Sequence, residues 1–240
     1  MGLLFHFRDR HGTRSALAWV AWLIDLVLPR RCVGCGAAAD TLCPACVLAL
    51  RPLRPPRCGF CGAPTAWPVA RCHECSGRRL SFSTARAAVA YAGPARALVR
   101  AWKERGLRHV AAFAAELVVA HVERPAADVI TYIPPDAVRQ LQRGHHPAER
   151  LAAELAGRWE IAAAPLLTRR TTIARQTGLG VAERRRNVRG AFAAATGCPS
   201  RVVLVDDVYT TGATAAAAAG ALRAAGAGVV EVVTFSRVVR

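Results

Sequence analysis

Residues 202–214 constrain the fold of this chain more than any other part of its sequence. The apolar run at 202–205 is typical of a buried strand, and the adjacent carboxylates of Asp206 and Asp207 follow it directly. A hydroxyl-rich turn containing Gly212 comes next, and residues 211–225 are then expected to form an Ala-rich helix. Open α/β sheets bind ligands where their strands end, so this order predicts an α/β fold with a ligand site after this strand.

The turn at 210–214 has the chemistry of an anion site. The first N–H groups of a helix have no partners within it, and the helix dipole adds positive potential there. Asp206 and Asp207 lie next to the turn, where they can bind ribose hydroxyl groups directly or through Mg²⁺. The residues expected to contact a phosphate group are Thr210, Thr211, Gly212, Ala213 and Thr214.

Four Cys-x-x-Cys pairs predict a metal-bound module near the N-terminus. Two such pairs complete one tetrahedral Cys₄ site, so the chain is expected to hold two Zn²⁺ ions, both structural because no ligand position is left open. Sequential and cross-braced pairing both fit the spacing. Disulfides and redox motifs are less favoured, because no secretion signal is recognised and a redox pair would hardly occur four times. The pairs are Cys32/Cys35, Cys43/Cys46, Cys58/Cys61 and Cys72/Cys75.

Cysteine content and the spacing of apolar residues divide the chain into three zones. Residues 1–30 are expected to carry an amphipathic helix, residues 31–79 the double zinc ribbon, and residues 80–240 a mostly parallel sheet flanked by helices. The apolar stretch at 16–28 is shorter than a membrane span needs, so a cytoplasmic protein without a transmembrane segment is expected. Within the third zone, strands are predicted at 85–92, 128–133, 201–207 and 229–235. Helices are predicted at 95–105, 147–159 and 211–225, and a further helix is predicted to follow Gly106 and to end at about residue 123.

The charge balance is strongly basic. The formal net charge is +17, and Lys103 is the single lysine among the basic residues. This balance favours a polyanionic partner, either nucleic acid or a phosphate-rich small molecule. A compositional preference for arginine and alanine explains it equally well.

Residues 202–214 resemble the signature of the type I phosphoribosyltransferases. The resemblance implies that the ligand is 5-phosphoribosyl-1-pyrophosphate, bound together with Mg²⁺. It also implies a pyrophosphate-binding loop after an early strand, at Pro134, Pro135 and Asp136. A mobile basic loop is implied at 169–189, and its candidate ligand-binding side chains are Arg175, Arg184 and Arg185.

From about residue 29 onward the sequence resembles the ComF family, which is associated with competence and with DNA uptake or utilisation. The resemblance includes the stretches at 91–94, 102–106, 176–179 and 184–192. Lys103 matches the family's K-x-R-G motif, and it joins Arg143, Asp206 and Asp207 as a candidate catalytic residue. One motif departs from the family, which has R-G-F-N-Q where this chain has Arg-Gly-His-His-Pro at 143–147.

Two functions of different classes fit these features. In the first, a nucleophile displaces pyrophosphate from the ribose C1, and the sequence does not identify that acceptor. In the second, the chain is a non-catalytic ligand sensor that binds single-stranded DNA, with Phe60, Trp67 and Phe82 as candidates for base stacking. The zinc module would then contact DNA or other DNA-uptake proteins, although a purely structural role fits equally well.

Overall fold

The computed structural model describes residues 30–107, 109–135, 145–170 and 190–240. The chain has the α/β fold expected from its sequence, with the cysteine-rich module before it. The strands are β1 (Thr84–Ala90), β2 (Val129–Tyr132), β3 (Leu167–Arg169), β4 (Phe192–Ala194), β5 (Arg201–Tyr209) and β6 (Val229–Arg237). The helices are α1 (Pro44–Leu48), α2 (Gly93–Arg105), α3 (His109–His121), α4 (Pro147–Trp159) and α5 (Ala213–Ala224).

Four strands form a parallel sheet in the order β1-β6-β5-β2, and β3 pairs with β4 in a separate antiparallel hairpin. Strand β5 is central, with Leu204 beside Val232 of β6 on one side and beside Thr131 of β2 on the other. A central parallel strand is covered on both faces, which explains its continuous apolar run. This position carries the end of β5 to the middle of the carboxyl edge of the sheet.

The alternating side chains of β5 pack into two separate cores. Val203 and Val205 pack with α2, α3 and α4, whereas Val202 and Leu204 pack with α5. The two halves of the cysteine module divide in the same way. Ribbon 1, which contains the cysteines from 32 to 46, packs with the first core, and ribbon 2, which contains those from 58 to 75, packs with the second.

The chain that links the two ribbons covers the outer edge of β1. Leu53 N–H donates to the Ala88 carbonyl at 2.9 Å, and Ala90 N–H donates to the Arg51 carbonyl at 2.8 Å. Ala85 N–H reaches the Phe60 carbonyl of ribbon 2 at 2.8 Å. Since an unpaired edge strand is a site for unwanted pairing, these contacts make the cysteine module part of the sheet's own protection.

Most expected elements are present with small shifts at their ends. The helix expected at 147–159 has those bounds, and the one expected to stop before Gly106 ends there because Gly106 adopts φ 64°. Two boundaries around the candidate site differ. Strand β5 runs to Tyr209 because β6 continues beside it to Arg237, and α5 begins only at Ala213 because Gly212 has φ 73° and caps it.

Some predictions fall outside the described residues. One is the amphipathic helix expected within residues 1–30, because the described part of the chain begins at residue 30. Within the described part of the chain, none of the helices has the length and apolar character needed to cross a membrane.

Candidate functional site

The turn between β5 and α5 is shaped by a close contact between Tyr209 and Gly212. The hydroxyl end of the Tyr209 side chain lies against Gly212, so a Cβ atom at that position would overlap it. Gly212 also has a φ of 73°, a conformation that other residues rarely adopt. The glycine is therefore required twice, once for backbone conformation and once for space.

A small cavity lies at the beginning of α5, with a volume of about 30 Å³. A cavity of this size holds a water molecule or two, so it can accept an oxygen atom of a ligand while the rest of the ligand lies at the rim. Thr210 is exposed at this rim. The cavity is lined by Asp206, Val208, Tyr209, Thr210, Gly212, Thr214, Ala215 and Thr234.

The first turn of α5 keeps its positive potential. It contains no acidic residue, and Gly212 offers no side chain to cap the helix. The Ala213 N–H makes a long contact of 3.4 Å with the Thr211 hydroxyl group. A phosphate oxygen at the cavity would meet the positive end of this helix together with the threonine hydroxyl groups.

Asp206 and Asp207 point to opposite faces of the sheet, because β5 continues past both of them. Asp206 lines the cavity, and its Oδ1 accepts the Asp207 N–H at 2.8 Å. Burial, reinforced by the charge of Asp207, raises the pKa of the Asp206 carboxyl to about 7. Asp206 is therefore protonated in a substantial fraction of molecules near neutral pH in the absence of a cation.

Asp207 forms an ion pair with Lys103 on the other face. Lys103 Nζ lies 2.7 Å from Asp207 Oδ2, and the Asp207 side chain is 10% exposed. Lys103 belongs to the last turn of α2, so that helix brings the ammonium group to the carboxyl edge of the sheet. The structure thus brings Lys103 to Asp207, although 104 positions separate the two residues in the chain.

The predicted pyrophosphate loop begins at the same edge. Ile133 N–H donates to the Val205 carbonyl at 3.0 Å, which holds the end of β2 beside β5, and Pro134 and Pro135 follow at once. Asp136 and Arg143 lie outside the described residues, as do Arg175, Arg184 and Arg185. For those five, the assignments made from sequence remain predictions.

The departure from R-G-F-N-Q has a structural counterpart in two histidines. His146 caps α4, with its Nδ1 accepting the Glu149 N–H at 3.3 Å, a role that asparagine performs well at a helix start. His145 Nε2 lies 2.6 Å from the Trp102 carbonyl oxygen, next to Lys103. The cap could have been recognised from Glu149, because a cap residue followed three positions later by glutamate is a helix-start pattern.

The cysteines form two compact clusters with sequential pairing. Within each cluster, the sulfur atoms lie within 4.8 Å of one another. The close sulfur–sulfur distances are 3.6 Å, 3.7 Å, 3.5 Å and 3.9 Å. Zn–S bonds of about 2.3 Å in a tetrahedron give about 3.8 Å, so the donor sets fit zinc. One cluster is Cys32, Cys35, Cys43 and Cys46, and the other is Cys58, Cys61, Cys72 and Cys75.

Each cluster contains a thiol with a lowered pKa. Burial opposes the shift at Cys32 and at Cys58, yet backbone N–H groups outweigh it and lower the pKa of each to about 6. Burial raises the pKa of Cys46 and that of Cys61 to about 12. A bound metal would therefore displace protons, and zinc affinity is expected to depend on pH.

Two of the three aromatic candidates for base stacking are occupied. Phe60 and Phe82 stack on each other with ring centroids 5.2 Å apart, and the Arg71 guanidinium lies 3.8 Å from the Phe60 ring centre. Phe82 is also buried. Trp67, at 68% exposure, is the member of the three that is open to a partner.

Comparisons with known proteins found a family that matches the cysteine module and relatives that match most of the chain. The double zinc ribbon domain family matches residues 23–76. Competence protein F of Haemophilus influenzae is 26% identical over 200 residues, which cover 77% of this chain and 86% of that protein. DNA utilization protein YhgH of Salmonella typhi is 29% identical over 203 residues, which cover 80% of this chain and 88% of that protein.

A solved structure of the allosteric regulatory enzyme of purine biosynthesis aligns with part of the chain. The alignment has a TM-score of 0.39 and 23% identity, and it covers 53% of this chain and 26% of that one.

Proposed function

Because the chain belongs to the ComF family, we propose that it binds 5-phosphoribosyl-1-pyrophosphate at the carboxyl end of β5 and serves competence or DNA utilisation, for which its relatives are named. The observation that supports this most is the cavity at the start of α5. It brings Asp206, Gly212 and three threonines together around an uncompensated helix N-terminus. A sugar phosphate needs this combination of anion site and hydroxyl acceptor.

In this proposal, the 5-phosphate lies at the start of α5. The residues that would hold it are those at 210–214, through backbone N–H groups and threonine hydroxyl groups. Asp206 would accept hydrogen bonds from the ribose hydroxyl groups beside the cavity. Tyr209 would contribute packing, since burial raises its pKa to about 12 and keeps it neutral.

The pyrophosphate group would extend toward β2 and α2. Its partners would be Pro134, Pro135 and Asp136 through the loop backbone, and Lys103 through its ammonium group. Lys103 is 30% exposed, so it can reach a ligand while it stays near Asp207. Mg²⁺, when bound with the ligand, supplies charge neutralisation for the pyrophosphate oxygens. Carboxylate oxygens suit Mg²⁺, and Asp206 is the carboxylate that faces the cavity.

A transfer reaction at this site would be a substitution at the ribose C1. A nucleophile, commonly a ring nitrogen of a base, would form the new bond as the C1–O bond to pyrophosphate breaks, and the electron pair would leave with pyrophosphate. No side chain of the protein needs to act as a nucleophile. Lys103 and Arg143 would stabilise the leaving group, while Arg175, Arg184 and Arg185 would exclude water from the site.

Titration calorimetry with the phosphoribosyl ligand and Mg²⁺ tests the proposal. We expect the wild type to bind, and Asp206→Asn to bind about ten-fold or more weakly because a neutral amide is a poorer partner for a hydroxyl–metal cluster. Asp128→Asn is the matched control. Asp128 lies at the opposite end of β5, where its carboxylate accepts the Arg201 N–H at 2.9 Å. Equal binding by wild type and Asp206→Asn would refute the site assignment.

The second candidate is a ligand sensor that binds single-stranded DNA. It is favoured by the exposed Trp67 together with the formal net charge of +17. Release of pyrophosphate with a panel of bases would support the transferase, and ligand binding without release would support the sensor. Salt-dependent binding to single-stranded DNA that persists in Asp206→Asn/Asp207→Asn and falls in Trp67→Ala would locate the DNA surface on ribbon 2.

A further inference from the structure

A buried arginine joins ribbon 2 to the end of β6. Arg237 is 1% exposed, and its Nη2 donates to Glu74 Oε2 at 2.8 Å. Its Nη1 donates to the Cys61 carbonyl oxygen, and its Nε lies 3.4 Å from the Val238 carbonyl oxygen. Both long-range partners belong to ribbon 2, because Cys61 is a member of the second cysteine cluster and Glu74 lies in the chain between Cys72 and Cys75. The position of this guanidinium therefore depends on the fold of ribbon 2.

The same guanidinium group lies against the tyrosine of the candidate phosphate site. Its carbon is 5.0 Å from the Tyr209 ring centre, a distance typical of a cation–π contact. Tyr209 also meets Phe82 edge-on, with centroids 6.2 Å apart, and Phe82 stacks on Phe60 of ribbon 2. Its ring is thus held on two sides by contacts that lead to the second cluster.

The far end of this contact path is the cavity itself. Tyr209 lines the cavity, and its hydroxyl end lies against Gly212, where α5 begins. A tilt of the ring would move the hydroxyl group into or away from the position of Gly212. The shape of the anion site is therefore sensitive to the contacts of Tyr209 with Arg237 and Phe82.

We propose that ribbon 2 is a positioning element for the phosphate site, in which Arg237 transmits to Tyr209 the geometry that zinc would impose on Cys61 and on the neighbouring Glu74. The inference rests on the proposed function, since it concerns the binding of that ligand. Two sites that share one ordered element reinforce each other, and the effect is reciprocal. Zinc in ribbon 2 strengthens phosphate binding, and the bound ligand raises the affinity of ribbon 2 for its zinc ion by the same factor. Ribbon 1 packs with the other core and serves as an internal control.

The first test measures the equilibrium distribution of zinc between the full chain and a chromogenic chelator, with Mg²⁺ in excess. We expect 5-phosphoribosyl-1-pyrophosphate to raise the affinity for one zinc ion about five-fold or more and to leave the other unchanged. Cys35→Ser, which removes one ligand of ribbon 1, identifies the more tightly held ion as that of ribbon 2. An equal gain in affinity for both ions, or a gain for neither despite ligand binding, would overturn the inference.

The second test removes the transmitting side chain. Arg237→Met/Glu74→Gln avoids leaving either charge unpaired, and Arg30→Met/Asp40→Asn removes the exposed ion pair of ribbon 1 as its control. We expect the first variant to keep two zinc ions, to bind the ligand about ten-fold more weakly and to lose the selective gain in zinc affinity. The control is expected to behave as wild type.

A third variant tests the coupling even if the protein cannot fold without the buried Arg237–Glu74 pair. Tyr209→Leu leaves Arg237, Glu74 and the cysteines in place and removes the ring that connects them to Gly212. We expect normal zinc content with no gain in zinc affinity from the ligand. Unchanged ligand affinity and an unchanged gain in zinc affinity in these variants would refute the coupling alone, whereas absence of binding in the wild type would refute the proposed function and the coupling together.

Discussion

Lys103 Nζ and Asp207 Oδ2 lie 2.7 Å apart and join the last turn of α2 to the central strand of the sheet. The pair is enclosed on the Asp207 side and open to solvent on the lysine side, with exposures of 10% and 30%. It is formed by the single lysine of a chain that uses arginine everywhere else. An ammonium group is a compact point charge, whereas a guanidinium is planar and longer, so the two are not equivalent in this position.

The Lys103–Asp207 pair should contribute more to stability than an exposed ion pair does. A double-mutant cycle with Lys103→Met, Asp207→Asn and the combination is expected to give a coupling energy on the order of 1–3 kcal/mol, above the 0–1 kcal/mol of surface pairs. The measurement is urea unfolding with zinc present. The pair Arg100–Glu104, which is exposed on the same helix, is the control and should give about 0.5 kcal/mol or less. Similar values for the two pairs would contradict the prediction.

Asp206→Asn should make the protein more stable above neutral pH. The pKa of Asp206 is raised from 3.8 to about 7 by burial and by Asp207, so between about pH 4 and pH 7 the folded state holds a proton that the unfolded state has lost. The stability that this group contributes is therefore lost as the pH rises through that window. At about pH 8 the variant is expected to exceed wild type by about 1–3 kcal/mol.

Comparing Asp206→Asn with wild type at each pH cancels the effect of zinc loss, which both proteins share. The difference in the free energy of unfolding should shrink toward zero as the pH falls to about 4. A constant difference across this range would show that the carboxyl group titrates normally in the folded protein.

Gly212→Ala should damage the candidate phosphate site more than the fold. The substitution forces a side chain into a left-handed conformation and against the Tyr209 hydroxyl group. We expect a loss of about 1–3 kcal/mol in the free energy of unfolding and loss of measurable ligand binding by calorimetry. Gly197→Ala is the control for backbone strain alone, because Gly197 has φ 72° and the position that a Cβ would occupy has no atom within 4 Å. If both variants bind the ligand as wild type does, Gly212 is dispensable for the site.

His146→Asn should preserve the cap of α4, and His146→Ala should not. Alanine removes the acceptor for the Glu149 N–H, and loss of such a cap costs about 1 kcal/mol. Asparagine, which the R-G-F-N-Q motif has at this position, is a strong N-cap residue. Urea unfolding of both variants measures the difference, and equal stability of the two would mean that the His146 side chain acts in some other way.

Local patterns along the chain were sufficient to predict much of the fold. The helix at 147–159 and the strand at 128–133 were recognised because apolar spacing and the flanking prolines are signals within a few residues. The β3–β4 hairpin was not predicted, since strands of three residues carry almost no periodicity. The four cysteine pairs predicted both clusters, and the sequential pairing became clear only in three dimensions.

The relationships across the sheet could not be read from the sequence. Ending β5 at residue 207 would place both aspartates at its tip, and the two further residues of pairing with β6 give them opposite faces instead. The role of Arg237 could not be recognised from the sequence, because its partner Glu74 is 163 positions away and a single arginine after an apolar run is common. Thr234 lies on β6, outside residues 202–214, so the motif gave no reason to place it at the cavity. Tyr209 lies within the motif, but its contact with Gly212 depends on the geometry of the turn and not on the local pattern.

The backbone contacts that Arg51, Leu53 and Phe60 make with β1 have a practical consequence for dissecting the molecule. A fragment starting at residue 80 would present a bare row of amides and carbonyls to every neighbouring copy, and it should assemble into aggregates. Stripping both metals should have the same outcome, with light scattering rising before the helical signal falls. The cysteine-rich segment thus shields the open edge of the sheet, and the α/β domain is not expected to remain monomeric without it.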